Sequence, residues 1–131
     1  MIFVDTSAFY ALLDGDDGEH SRALKLWEGE PPGEGSLVTT NYVVLESMAL
    51  LQSRLGMPAV RVFHDAIVPL VRMEWIDEVI HAQTVSACIA ANRRGLSLVD
   101  LSSFATMRRL GIRSAFTFER HFRQYGFETV T

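Results

Sequence analysis

The chain's 131 residues suit one domain with its own core, and a 48% apolar composition lies far from the disordered regime. Its single cysteine, Cys88, excludes an intrachain disulfide, and no cysteine–histidine spacing suggests a zinc site. The formal net charge of −4 argues mildly against a nucleic-acid binder, and no uncharged apolar run approaches the ~20 residues a membrane helix needs.

Ile2-Phe3-Val4 is a short apolar run that predicts a buried strand, ending at Asp5. Because an acid follows at once and no basic region precedes it, no signal peptide is expected, and a reducing cytoplasm is the expected setting. Thr6 and Ser7 are expected to cap a helix over Ala8–Leu13. The acidic, glycine-containing stretch Asp14–Gly18 predicts a turn. Glu19–Glu30 has helical periodicity with Ala23, Leu24 and Trp27 inward, and Pro31–Gly35 is a clear break. Leu37-Val38-Thr39 predicts a second strand, with Thr40 or Asn41 capping a helix over Tyr42–Leu55 that Gly56 closes. Met48, Leu51 and Leu55 fall on its core side.

Pro58 suits the first turn of a helix over Ala59–Val71. Arg72–Ile76 predicts a third strand, and Trp75 is expected in the core. A long helix is expected over Val79–Arg94, ended by Gly95, with Cys88 a packed thiol among small and apolar neighbours. After a short apolar segment, Leu96–Val99, Asp100 with Ser102 and Ser103 is expected to open a helix through Leu110. Ala115–Phe118 predicts a late strand, Arg120–Tyr125 a short segment, and Phe127–Val130 a final edge strand. Strands alternating with helices imply an α/β fold, a parallel sheet covered on both faces, in one domain spanning 1–131.

The distribution of charge is more informative than its sum. Arg93, Arg94, Arg108, Arg109, Arg113, Arg120 and Arg123 face only Asp100 and Glu119 over the same stretch, and Lys25 is the sole lysine. Arginine suits bidentate phosphate contacts, although such a run also describes solvated helix faces. Arg108, Arg109 and Arg120 are the candidate nucleic-acid contacts. Single histidines, His121 beside Arg120 included, are usually surface or satisfied core residues.

Ligands of open α/β sheets bind beyond the carboxyl ends of the strands. Asp5 follows the first strand, Asp100 starts a helix and Glu119 follows the late strand, so the three can converge on one sheet edge. Each of them also has the plainer reading of a cap or a surface acid. Glu46 is harder to dismiss: its helical neighbours are Tyr42, Val43, Ala49 and Leu50, and a carboxylate there needs an arginine, a polar cleft or a metal. Gathered carboxylates suit Mg2+ or Mn2+, which prefer oxygen ligands, lower the pKa of bound water and act as Lewis acids on phosphate. Ser7, Ser103 and Thr117 supply hydroxyls for the surrounding shell. This chemistry does not choose between RNA and DNA.

Four segments, in order, resemble the motifs of one family. Val4-Asp5-Thr6-Ser7-Ala8, running on to Ala11-Leu12-Leu13-Asp14 and His20, is similar to the opening of a PIN domain, especially that of VapC-type toxin ribonucleases. Val44-Leu45-Glu46-Ser47, Leu98-Val99-Asp100-Leu101-Ser102-Ser103-Phe104 and Phe116-Thr117-Phe118-Glu119-Arg120-His121-Phe122 resemble the second, third and fourth motifs. The resemblance implies a compact α/β/α sandwich and a Mg2+- or Mn2+-dependent endoribonuclease. It also implies Asp5, Glu46 and Asp100 as acidic-site and metal-binding residues, Thr6 and Thr117 beside them, a small antitoxin partner and a homodimer. Glu119 stands where the family usually has aspartate; it keeps the carboxylate and adds a methylene. Two other functions share the same residues: a PIN-like module that binds RNA or protein without efficient catalysis, and a metal-dependent phosphohydrolase of small phosphoesters.

Overall fold

A computed structural model describes residues 1–29 and 36–130. The expected break at Pro31–Gly35 lies outside the described residues. The elements run β1 (Ile2–Val4), α1 (Thr6–Leu13), α2 (His20–Gly29), β2 (Leu37–Thr40), α3 (Asn41–Arg54), α4 (Met57–Val62), β3 (Arg72–Glu74), α5 (Glu78–Ala91), α6 (Leu98–Leu110), β4 (Ser114–Phe116), α7 (His121–Gln124) and β5 (Glu128–Val130). The five strands form one all-parallel sheet in the order β3-β2-β1-β4-β5, as the alternation of strands and helices implied. β1 sits at its centre, with Phe3 paired to Val38 on one side and Ala115 on the other.

Burial follows this order. Phe3 and Val4 are wholly inside and all of β2 is buried, whereas the edge strands β3 and β5 are partly exposed. Thr39 is tolerated inside because its hydroxyl donates to the Val4 carbonyl at 2.9 Å. The largest aromatic cluster lies under the C-terminal third: Phe104 meets Phe122 edge-on at 5.0 Å and stacks on Tyr125 at 4.7 Å and Phe127 at 5.6 Å.

Several boundaries differ from those the sequence predicts, each for a local reason. Asp5 itself, not Thr6 or Ser7, caps α1, so the helix starts at Thr6. Thr40 caps α3 by accepting the Val43 N–H. The helix after Pro58 does not run unbroken to Val71. It widens into a π turn over Phe63–Ile67, where the Val68 N–H bonds to the Phe63 carbonyl five residues back, then tightens into a 3-10 turn over Val68–Leu70. Pro69 brings no N–H and crowds the preceding turn, so the α pattern cannot continue. α5 ends at Ala91 because Asn92 takes the left-handed conformation, φ 49°, three residues before Gly95. α6 begins at Leu98, so Asp100 lies within its first turn and does not open it.

Four side chains expected inside are not. Trp75 follows an edge strand and is 69% exposed, Leu24 turns outward on α2, and Cys88 is half-buried on α5. Leu55, expected on the core side, is also exposed.

Candidate active site

A parallel sheet sends every strand's carboxyl end to one edge, and the chain turns there into α1 after β1, into α3 after β2 and into the Thr117–Glu119 loop after β4. A cavity of about 470 Å³ opens at this edge, and Asp5, Glu46, Asp100 and Glu119 all line it.

Asp5 is the deepest, only 4% exposed. Its Oδ2 accepts the Ser7 and Thr117 hydroxyls, each at 3.0 Å, and the Ser7 N–H at 3.4 Å. Each hydroxyl has one proton, and both protons are committed to this oxygen. The Ser7 and Thr117 oxygens stand 3.2 Å apart and use their lone pairs to accept the Phe118 N–H at 2.9 Å and the Glu119 N–H at 3.0 Å. One carboxylate thus ties the start of α1 to the loop after β4, and that loop aims Glu119. Burial pushes the Asp5 carboxyl above its usual range, its hydroxyl donors pull it part of the way back, and the Asp100 charge pushes it up again.

Glu46 lies in the second turn of α3, open to the cavity. The sequence left two neutralising routes for it, an arginine or a polar cleft, and the structure gives the cleft. Partial burial raises its carboxyl first; the charges of Asp5, Asp100 and Glu119 add to the rise, and Thr6 opposes it. The Thr6 hydroxyl is buried and has no other hydrogen-bond partner among the described residues.

Asp100 is the third residue of α6 and forms a reciprocal cap with Ser97: its N–H reaches Ser97 Oγ at 3.1 Å, and its Oδ2 accepts the Ser97 N–H at 3.3 Å. The same Oδ2 lies 3.7 Å from His121 Nδ1. Glu119 is exposed at the mouth.

The other predicted residues divide. Ser7 and Thr117 meet Asp5 directly. Ser103 is fully buried, its hydroxyl has no partner among the described residues, and it does not line the cavity. Arg108 and Arg109 are not brought to the carboxylates: they end α6, ~12 Å along the helix from Asp100. There Arg108 donates to the Tyr125 carbonyl and lies over the Phe127 ring, and Arg109 pairs with Glu74. Arg120 lines a neighbouring hollow with Glu119.

Sequence reasoning set His121 aside and missed Arg54. His121 lines the cavity because α7 starts two residues after Glu119. Arg54, the last residue of α3, lies two turns beyond Glu46 on the same helix, which was the available signal. It reaches the cavity over the Tyr10 ring, 5.2 Å from the centroid, while the Tyr10 hydroxyl donates to Asp14 at 2.6 Å.

Among the described residues, no three acidic, histidine or cysteine side chains converge tightly enough to enclose an ion by themselves. The donor set is nonetheless all oxygen, and its carboxylates repel one another. Those two properties fit a hard divalent cation that keeps part of its water shell.

The model of the PIN domain matches residues 2–128. The 23S rRNA-specific endonuclease VapC20 of Mycobacterium tuberculosis is 36% identical over 131 residues, 99% of this chain and 98% of that protein. The crystal structure of Mycobacterium tuberculosis VapC20, described as a Sarcin-Ricin loop cleaving toxin, superposes with a TM-score of 0.85 at 34% identity, covering 97% of this chain and 96% of that one. FitAcB from Neisseria gonorrhoeae shares the fold alone, with a TM-score of 0.71 at 18% identity over 100% of this chain and 97% of that one. With the family model spanning nearly the whole chain and four carboxylates lining one cavity at the sheet's carboxyl edge, the protein belongs to the PIN domain family.

Proposed function

We propose that this protein is a divalent-metal-dependent endoribonuclease, the toxin of a toxin–antitoxin pair, hydrolysing RNA phosphodiester bonds in the acidic cavity. The observation that carries this reading is the convergence of Asp5, Glu46, Asp100 and Glu119, contributed by four separate segments, on one cavity. Identity of 36% from end to end with a protein named as an rRNA endonuclease supports the choice of RNA over DNA.

Asp5, Glu46 and Asp100 would hold Mg2+ or Mn2+, with Glu119 at the mouth reaching it directly or through water. Such a cation, when bound, supplies a hydroxide at neutral pH and neutralises charge on the phosphate. The chain's own residues do the positioning. Ser7 and Thr117 fix the Asp5 carboxylate at the cavity wall by donating to its Oδ2. Ser97 steadies Asp100 through the cap. Arg54 offers the cavity's cationic wall to a phosphate oxygen.

The test is cleavage of a structured RNA by the full chain with Mn2+ or with EDTA. Cleavage with Mn2+ that stops in EDTA is the expected result, accompanied by a rise in melting temperature with millimolar Mn2+, because only the folded protein gathers the ligands. No shift and no cleavage would remove the metal-nuclease reading. Shortening the mouth carboxylate with Glu119→Asp should keep cleavage within a few-fold of wild type, since the side chain is exposed and free to move. Complete loss would show that the extra methylene is required.

A small antitoxin and a homodimer remain part of this proposal. The dimer draws support from the apolar side chains exposed on and just before α5: Trp75, Val79 at 63% and Ile89 at 73%. Among the described residues no helix is long and apolar enough to cross a membrane, in keeping with a proposed cytoplasmic setting.

A further inference from the structure

A second hollow of about 290 Å³ adjoins the acidic cavity, and its character is opposite. Arg22, Arg120 and Arg123 line it, and Glu19, Phe118 and Glu119 border both spaces. Arg22 is engaged by Glu19 at 3.0 Å. Arg123 donates its Nε to Thr129 Oγ1 at 2.7 Å, which points the guanidinium and leaves both terminal nitrogens without a partner among the described residues. The Arg120 side chain makes no hydrogen bond or ion pair among the described residues, although its backbone carbonyl accepts the Gln124 N–H at 3.2 Å. Two guanidiniums with open donor faces therefore stand just across the Phe118–Glu119 sill from the carboxylates. Arginine forks match the paired oxygens of a phosphodiester, and a basic hollow beside an acidic one repels a second cation while attracting an anion. At about 290 Å³ the open hollow has room for a phosphate group.

We propose that this arginine-lined hollow is an RNA subsite: Arg120 and Arg123 grip a phosphodiester next to the one cleaved, so that the strand crosses the sill between Phe118 and Glu119. This rests on the ribonuclease reading and gives the strand its path. It also assigns backbone recognition to Arg120 and Arg123 in place of Arg108 and Arg109, which lie near the far end of α6 against Tyr125 and Glu74.

The test measures binding of a fluorescein-labelled RNA stem-loop by the full chain in EDTA, with cleavage in Mn2+ measured alongside. Arg120→Ala and Arg123→Ala should each weaken binding about fivefold, raise KM and leave kcat within twofold of wild type. Each should flatten the log–log salt dependence by ~0.7, the value of one single-strand phosphate contact. Arg123→Lys should restore most of the salt slope. Arg108→Ala and Arg109→Ala should bind as wild type does. Wild-type affinity in Arg120→Ala and Arg123→Ala would overturn the subsite, as would equal weakening in all four variants, which is diffuse attraction. If wild type cleaves nothing with any divalent metal but Arg120 and Arg123 still govern binding, the nuclease reading fails and the subsite stands.

Discussion

Replacing Asp5 with asparagine is expected to lower RNA cleavage by about 10²–10³-fold, the usual cost of deleting one preorganised electrostatic group, while keeping the fold. Asparagine caps a helix as well as aspartate does, and its carbonyl oxygen still accepts the Ser7 and Thr117 hydroxyls. The lost element is charge, and that loss has a second consequence. Burial raises the Asp5 carboxyl in the folded protein, so the folded state holds its proton more tightly than the unfolded chain does. Its ionisation therefore opposes folding as pH climbs from the usual carboxylate range through the raised value. Without metal, Asp5→Asn should melt above wild type at neutral pH, and the gap should close in acid, where Asp5 is protonated. Melting curves across pH beside cleavage rates check both halves. A variant that cleaves normally, or whose metal-free melting temperature falls below that of wild type at neutral pH, would remove Asp5 from the role given to it.

Phe104→Ala should be the most damaging single change to stability, at about 3–5 kcal/mol, or a fall of about 10–20 °C in melting temperature for a chain of this size. Phe104 is wholly buried and touches three other rings, from α7, the turn after it and the start of the last strand segment. Those rings hold down the segment that carries Glu119 and His121, so activity at temperatures below melting should fall as well. Lys25→Ala, at an exposed position of α2, is the control and should move stability by no more than ~0.5 kcal/mol. Denaturant titrations of the two variants decide it; equal losses would mean that the aromatic cluster does not dominate the core.

The sheet was readable because its strands are brief apolar runs between strong helical signals, and a strand buried on both faces needs no alternation to announce itself. The acids were readable as positions, since Asp5 and Glu119 follow strands and Glu46 interrupts an apolar helix face. Their local roles were harder. Asp5 takes the cap expected of Thr6 and Ser7, and Asp100 answers the Ser97 cap from inside α6 instead of opening the helix, because a cap is settled by backbone angles that several neighbouring polar residues could serve. Arg108 and Arg109 looked equivalent to Arg120 as charges, yet helix geometry sends the first two to the far end of α6. The π turn before Pro69 breaks a pattern whose spacing looks uniform, and the outward Trp75 depends on its strand lying at a sheet edge, which is a property of strand order that spacing does not carry.

The order β3-β2-β1-β4-β5 also governs when the acidic cavity can form. Asp5 is translated early, but the strand that completes its side of the sheet and the hydroxyl of Thr117 arrive more than a hundred residues later, a separation of 112. Pairings so distant in sequence close late and slowly. A nascent chain emerging from the ribosome therefore carries its deepest carboxylate for most of synthesis with no cavity to place it in, and its chemistry is withheld until the chain is almost finished.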